Sequence, residues 1–154
     1  MLNRFLHWFE FAEGDLDAAK ILAEHGLRQV NTVCYHSQQS AEKNLKGYLV
    51  ANGVFAPLKT HDLHDLCDKC CDFDKSFNTL LPICDNLNPY GIRVKYPDEI
   101  EVDENEAGQA IADAEAIQAF EPIAAVRTAL EAEHRKQYTV TQATATAKSK
   151  PPAG

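Results

Sequence analysis

No stretch of this chain approaches the roughly 20 consecutive apolar residues that a membrane-crossing helix needs. The opening MLNRFLHWFEFAEGD has Trp8, Phe9 and Phe11, but Glu10 and Glu13 interrupt them. It lacks the uncharged apolar segment and small-residue cleavage site of a signal peptide and reads as an amphipathic helix, so a cytoplasmic chain is the expectation. Basic charge is scarce as well. Against 23 Asp and Glu there are 15 Lys and Arg, a formal net charge of -8. Broad, sequence-independent nucleic-acid binding needs a basic surface that displaces counterions, so this balance argues against it and leaves room only for a local basic patch. Cysteine is present at 34, 67, 70, 71 and 84, an odd count that does not suit a full set of internal disulfides. Cys67 and Cys70 form a lone CxxC inside a helical pattern, with no second CxxC and no HxxxH at finger-like spacing. Cys67, Cys70, Cys71 and Cys84, with His61 and His64, therefore make no zinc motif. Cys70 and Cys84 instead occupy core positions, where cysteine acts as a small apolar residue. Neither a metal nor another cofactor is expected.

What the chain does contain is helical periodicity. Its 154 residues suffice for one domain, and 45% apolar content is ordinary for a globular protein. Phe5, Trp8, Phe9, Ala12, Leu16, Ala19 and Ala23 predict a helix over 3–27, stopped at Gly26. Val30, Cys34, Ser37, Ala41, Leu45 and Tyr48 predict a second over 29–52, stopped at Gly53. So short a joint makes the two antiparallel. Pro57 marks a loop, and Thr60 or Asp62 can cap a third helix over 62–73. A shorter piece with Phe77, Leu80, Leu81 and Cys84 follows. NLNPYGIRVKYPDEIEV, with Pro89, Gly91 and Pro97, reads as a long ordered loop, unusual enough in a small domain to suggest a function. Residues 103–136 are helical again, with Asp103, Glu104 and Glu106 in the first turn and a kink or break at Pro122. The expected fold is all-α: an up-and-down bundle of four to five helices over 1–136, with the long loop before the last long helix. Residues 137–154, small, polar and Pro-bearing, are expected to form a disordered tail.

Three segments in order, CYHSQQSAEKNLKGYLVANG, KTHDLHDL and NLNPYGIRVKYPDE, together with FAEGDLDAAKILAE in the first helix, resemble the HEPN domain (higher eukaryotes and prokaryotes nucleotide-binding). The likeness runs from about residue 5 to 135. It implies a helical bundle that commonly dimerises. Many members are encoded beside, or fused to, a small nucleotidyltransferase. Others are ribonucleases, often toxins, with an Arg, four to six residues, then a His near the start of the last long helix. Here Arg93 and Lys95 stand in that neighbourhood with no His after them. The literal fit, Arg127 to His134, falls near the end of the last helix and is read as coincidence. The non-nuclease branch usually closes its loop with Arg-Tyr-Pro. This chain has Lys95-Tyr96-Pro97, which keeps the charge and loses the bidentate fork.

His36, Gln39 and Lys43 fall within one quarter of the second helix, away from Ala41 and Leu45. We expect them to border a groove closed by the loop bearing Arg93, Lys95 and Tyr96. Lys43, Arg93 and Lys95 would contact an anion; the others would supply polar or stacking contacts. The competing reading of the loop cations is internal pairing with Asp98, Glu99 and Glu101. His61 and Asp62 are expected to tie down the loop and cap the third helix. The leading expectation is an accessory or binding module, homodimeric, contacting a nucleotide or RNA and acting with a nucleotidyltransferase partner, as in a toxin–antitoxin pair. The alternatives are a metal-independent ribonuclease, using His36 or His61 with Arg93, and a dimeric scaffold without ligand.

Overall fold

A computed structural model of the chain describes residues 2–26, 29–55, 59–92, 101–149 and 151. Every regular element among them is helical. The order is α1 (Leu2–His25), α2 (Val30–Ala51), α3 (Leu63–Cys71), a 3₁₀ turn (Lys75–Leu80), α4 (Leu81–Leu87), α5 (Pro89–Ile92), α6 (Glu104–Gln118) and α7 (Glu121–Lys148).

α1 buries Leu6, Phe9, Ala12, Leu16 and Ala19, one residue per turn on a single face. It ends where Gly26 takes φ 123, a conformation that favours glycine. Gly53, at φ 91, ends α2 in the same way. Between them α1 and α2 pack closely, and Gly47 is the reason. A Cβ there would stand 3.0 Å from both Phe9 Cζ and Trp8 Cβ. α2 is the central helix: it touches α1 and every helix from α3 to α7. Its burial therefore runs round most of the circumference, leaving the His36, Gln39 and Lys43 side partly exposed, and takes in Ser37, Gln38, Ser40, Glu42, Asn44 and Lys46 along with Cys34, Ala41, Leu45 and Leu49.

Asp62 caps α3, accepting from the His64 amide at 2.9 Å and the Asp65 amide at 3.3 Å. Asp103 and Glu106 form a reciprocal capping box at the start of α6. The core closes where Tyr48, Phe77 and Phe120 stack in series, with centroids 4.5 Å and 5.0 Å apart.

The all-α bundle is the one the sequence predicts, and its details differ in three places. The described residues contain seven α-helices where four to five were expected, because the short segments after α3 each find a cap or a proline start. The first residues of the expected loop are helical. Asn86 and Leu87 finish α4, and Pro89–Ile92 forms α5; proline suits the first turn, where its missing N–H has no partner anyway. The break expected near Pro122 is present: α6 and α7 part at Ala119 and Phe120, with Pro122 in the first turn of α7. α7 also continues to Lys148, through residues expected to lack structure. Alanine is the best helix former, and Thr139, Thr141, Thr144 and Thr146 return their hydroxyls to the carbonyls four residues back. Burial, by contrast, stops at His134; every residue from Arg135 to Ser149 is exposed.

Candidate functional site

The polar ridge of α2 splits into two networks. On one side His36 Nδ1 donates to Asp15 Oδ1 at 2.9 Å, and Lys43 Nζ bonds the other oxygen of the same carboxylate. Asp15 stands on α1, so the close α1–α2 approach that Gly47 permits also brings this carboxylate to the ridge. Lys43 is thus a paired cation, about one quarter exposed, and not an isolated one aimed at solvent.

On the other side the centre is Glu42, whose side chain is 6% exposed. Its Oε1 accepts from Lys46 Nζ at 2.7 Å and from His61 Nδ1 at 2.9 Å. Its Oε2 accepts from Gln38 Nε2 at 3.3 Å. Burial by itself would raise the Glu42 pKa. The hydrogen bonds and charges of Lys46 and His61 outweigh it and hold the carboxyl below its ordinary value. Gln39 lies over this network and donates to Gln38 Oε1 at 2.7 Å. Gln39 thus belongs to the Glu42 side of the ridge, next to the His36–Lys43 side.

The same network anchors the chain on either side of α3. Gln38 Nε2 also reaches the His61 carbonyl at 3.4 Å. Asn88 accepts from the Leu63 amide at 2.9 Å and donates to Asp62 at 2.9 Å. Desolvation would raise the Asp62 carboxyl, but that bond and the two α3 amides together outweigh it and hold the group below its usual range. Gly91 sits directly on Gln38: a Cβ there would lie 2.7 Å from Nε2.

The structure thus brings His36, Gln39 and Lys43 together on one ridge and sets His61 beside it, joined through Glu42. Asp62 caps α3 and holds Asn88. Arg93, Lys95 and Tyr96 lie outside the described residues. Asp15, Glu42, Lys46 and Asn88 did not stand out in the sequence. The spacing of Gln38, Glu42 and Lys46 at i, i+4 and i+8 is the signal that marks them as one stripe.

Four of the five cysteines are buried. Cys67 points its thiol to the Phe77 carbonyl and Cys70 to the Leu45 carbonyl. Among the described residues no three His, Cys, Asp or Glu side chains converge on a metal-sized space, and no helix is long and apolar enough to cross a membrane. A separate cleft of about 200 Å³ between α1 and α7 is lined by Arg127 and His134, over a floor of Leu6 and Phe9. Glu10, Glu13 and Glu131 line it too. Arg127 spends one donor on the Gln118 carbonyl at 3.3 Å. With three carboxylates around them, this Arg and His face a poor environment for a phosphodiester.

No protein of curated description matches the chain. Among solved structures, TT1696 from Thermus thermophilus is similar at 27% identity and a TM-score of 0.66, over 80% of this chain and 98% of that one. ST0689, described as an archaeal HEPN homologue, is similar at 23% identity and a TM-score of 0.61, over 82% of this chain and 97% of its own; at that identity it speaks for the fold alone. The HEPN domain profile matches residues 5–123, a span that holds the α2 ridge, the Asp62 cap and the Asn88–Gly91 turn, and so the chain belongs to the HEPN domain family.

Proposed function

We propose that this chain is a HEPN accessory module, not itself catalytic, that works as a dimer, engages a nucleotide or RNA along the α2 ridge, and acts with a nucleotidyltransferase partner, as in a toxin–antitoxin pair. The observation that supports this best is the row His36, Gln39 and Lys43. It is partly exposed and is fixed in direction by Asp15 on one side and the Glu42 network on the other. Fixed amide and ammonium donors suit a phosphate or a base edge, because little ordering remains to be done on binding. A phosphate arriving here must share Lys43 with Asp15, which sets modest affinity and steep salt dependence.

The test follows from that sharing. ATP and a short single-stranded RNA are titrated against wild type, Lys43→Ala and Asp15→Asn. Lys43→Ala should weaken binding about tenfold, and Asp15→Asn, which releases the ammonium, should strengthen it. Equal affinity in all three would refute the ridge as the site. A small nucleotidyltransferase gene beside this one would support the partner reading, and co-purification of the two products would test it directly.

A ribonuclease reading draws on one observation, the shared cleft of Arg127 and His134. Incubation with RNA in the presence of a chelator decides it: cleavage lost in His134→Ala would establish the enzyme, and intact RNA would favour the module. The same assay on Arg93→Ala covers the loop arginine.

A further inference from the structure

α7 runs past the body of the protein. From Arg135 to Lys148 it is helical, yet it buries nothing. At 1.5 Å per residue this segment of about 14 residues extends roughly 21 Å. Helices of such length are marginal in water unless a face is packed. Its composition is also one-sided. In a chain with an excess of acid, residues 134–154 contain no Asp or Glu, while Arg135, Lys136 and Lys148 are basic. Tyr138 and Val140 are 62% and 65% exposed. The threonine hydroxyls are turned back on their own backbone, which leaves methyl groups to face outward.

The opposite charge lies at the base of this segment. Glu10 and Glu13 of α1 and Glu131 of α7 line the cleft whose floor is Leu6 and Phe9. Among the described residues, Glu13, Glu131, Arg135 and Lys136 form no salt bridge within the chain. Arg135, the first residue of the segment, lines the same cleft, so one surface carries an acidic edge, an apolar floor, and a basic helix that starts at the cleft and extends away from it. A two-fold contact requires a patch that complements itself, and this patch does so.

We propose that the α1–α7 cleft and the α7 overhang form an isologous dimer interface. Each copy lays its Arg135–Lys148 segment along the Glu10–Glu13 edge of the other, with Tyr138 as the aromatic anchor over the apolar floor. Because the helix and the edge are each used twice, the contact can reach the roughly 800 Å² per partner typical of stable complexes. This rests on the reading of the protein as a dimer and adds its location.

Sedimentation velocity on the full chain tests it. Wild type should run near twice 17.1 kDa. Arg135→Glu with Lys136→Glu should weaken the dimer at least tenfold, and so should Glu10→Lys with Glu13→Lys. All four positions are exposed, so circular dichroism should show both variants fully folded. Mixing the two reversed variants should restore dimers, because both contacts of the mixed pair regain opposite charges. A dimer that survives both reversals would overturn this surface while leaving the dimer reading intact. A monomeric wild type, or one that associates only when RNA is added, would overturn both.

Discussion

Lys46→Met removes the ammonium from Glu42 while keeping most of the stem. Both side chains are 6% exposed, so the carboxylate left behind cannot turn to water. Breaking a buried ion pair from one side costs about 3–5 kcal/mol. Because His61 and Gln38 still donate to Glu42, we expect the lower end, about 3 kcal/mol at pH 7, or a fall in Tm of roughly 6–12 °C for a chain of this size. The pH dependence identifies the cause. In wild type the folded pKa of Glu42 is depressed, so its contribution is present above the unfolded value and disappears as pH falls through the folded one. Without Lys46, burial dominates and the Glu42 pKa rises above that of the unfolded chain. The variant's carboxyl then takes up a proton earlier on acidification, and the gap to wild type narrows by about 1–2 kcal/mol between pH 7 and pH 4. Urea unfolding followed by circular dichroism at several pH values measures this. A penalty under about 1 kcal/mol at pH 7, or one that does not change with pH, would refute the claim that Glu42 is held charged in the interior by Lys46.

Gly91→Ala should cost about 1–3 kcal/mol in the same unfolding assay, because the new methyl meets a Gln38 amide that is itself buried and bonded; unchanged stability would show that Gln38 is free to move. Of the five cysteines, half-buried Cys71 should react with Ellman's reagent first. Cys34, pushed up to about 12 by burial and then by Glu106 and Asp103, and buried Cys70 and Cys84, both also raised, should react only on unfolding; rapid labelling of more than one thiol would contradict the packing described. Purified protein should carry no stoichiometric zinc by elemental analysis, and a molar equivalent of the metal would overturn that expectation.

The fold was legible wherever one face of a helix carries the apolar residues. The sequence predicts helices at 3–27 and 29–52, and the structure has Leu2–His25 and Val30–Ala51. Asp62 could be read as a cap because a capping residue acts on its own neighbours. The interior of α2 was not legible for the opposite reason. Periodicity assigns polar stripes to solvent, but a helix packed on most sides must bury some of them. What makes such burial tolerable is supplied from far along the chain: Asp15 reaches Lys43, and His61 reaches Glu42. No local pattern in the sequence encodes those pairings. The extent of α7 was missed because a Thr- and Ala-rich run has too little apolar surface to suggest packing, although its backbone favours a helix. The anion-binding loop proposed around Arg93, Lys95 and Tyr96 lies outside the described residues.

Because α2 is packed by its neighbours on every side except the ridge, its central amides should have no local route to deuterium. Their exchange should wait on global unfolding, which makes α2 an internal gauge of the whole molecule's free energy. Any compound that seats on the ridge would then slow the exchange of that one helix by the amount it stabilises the entire protein.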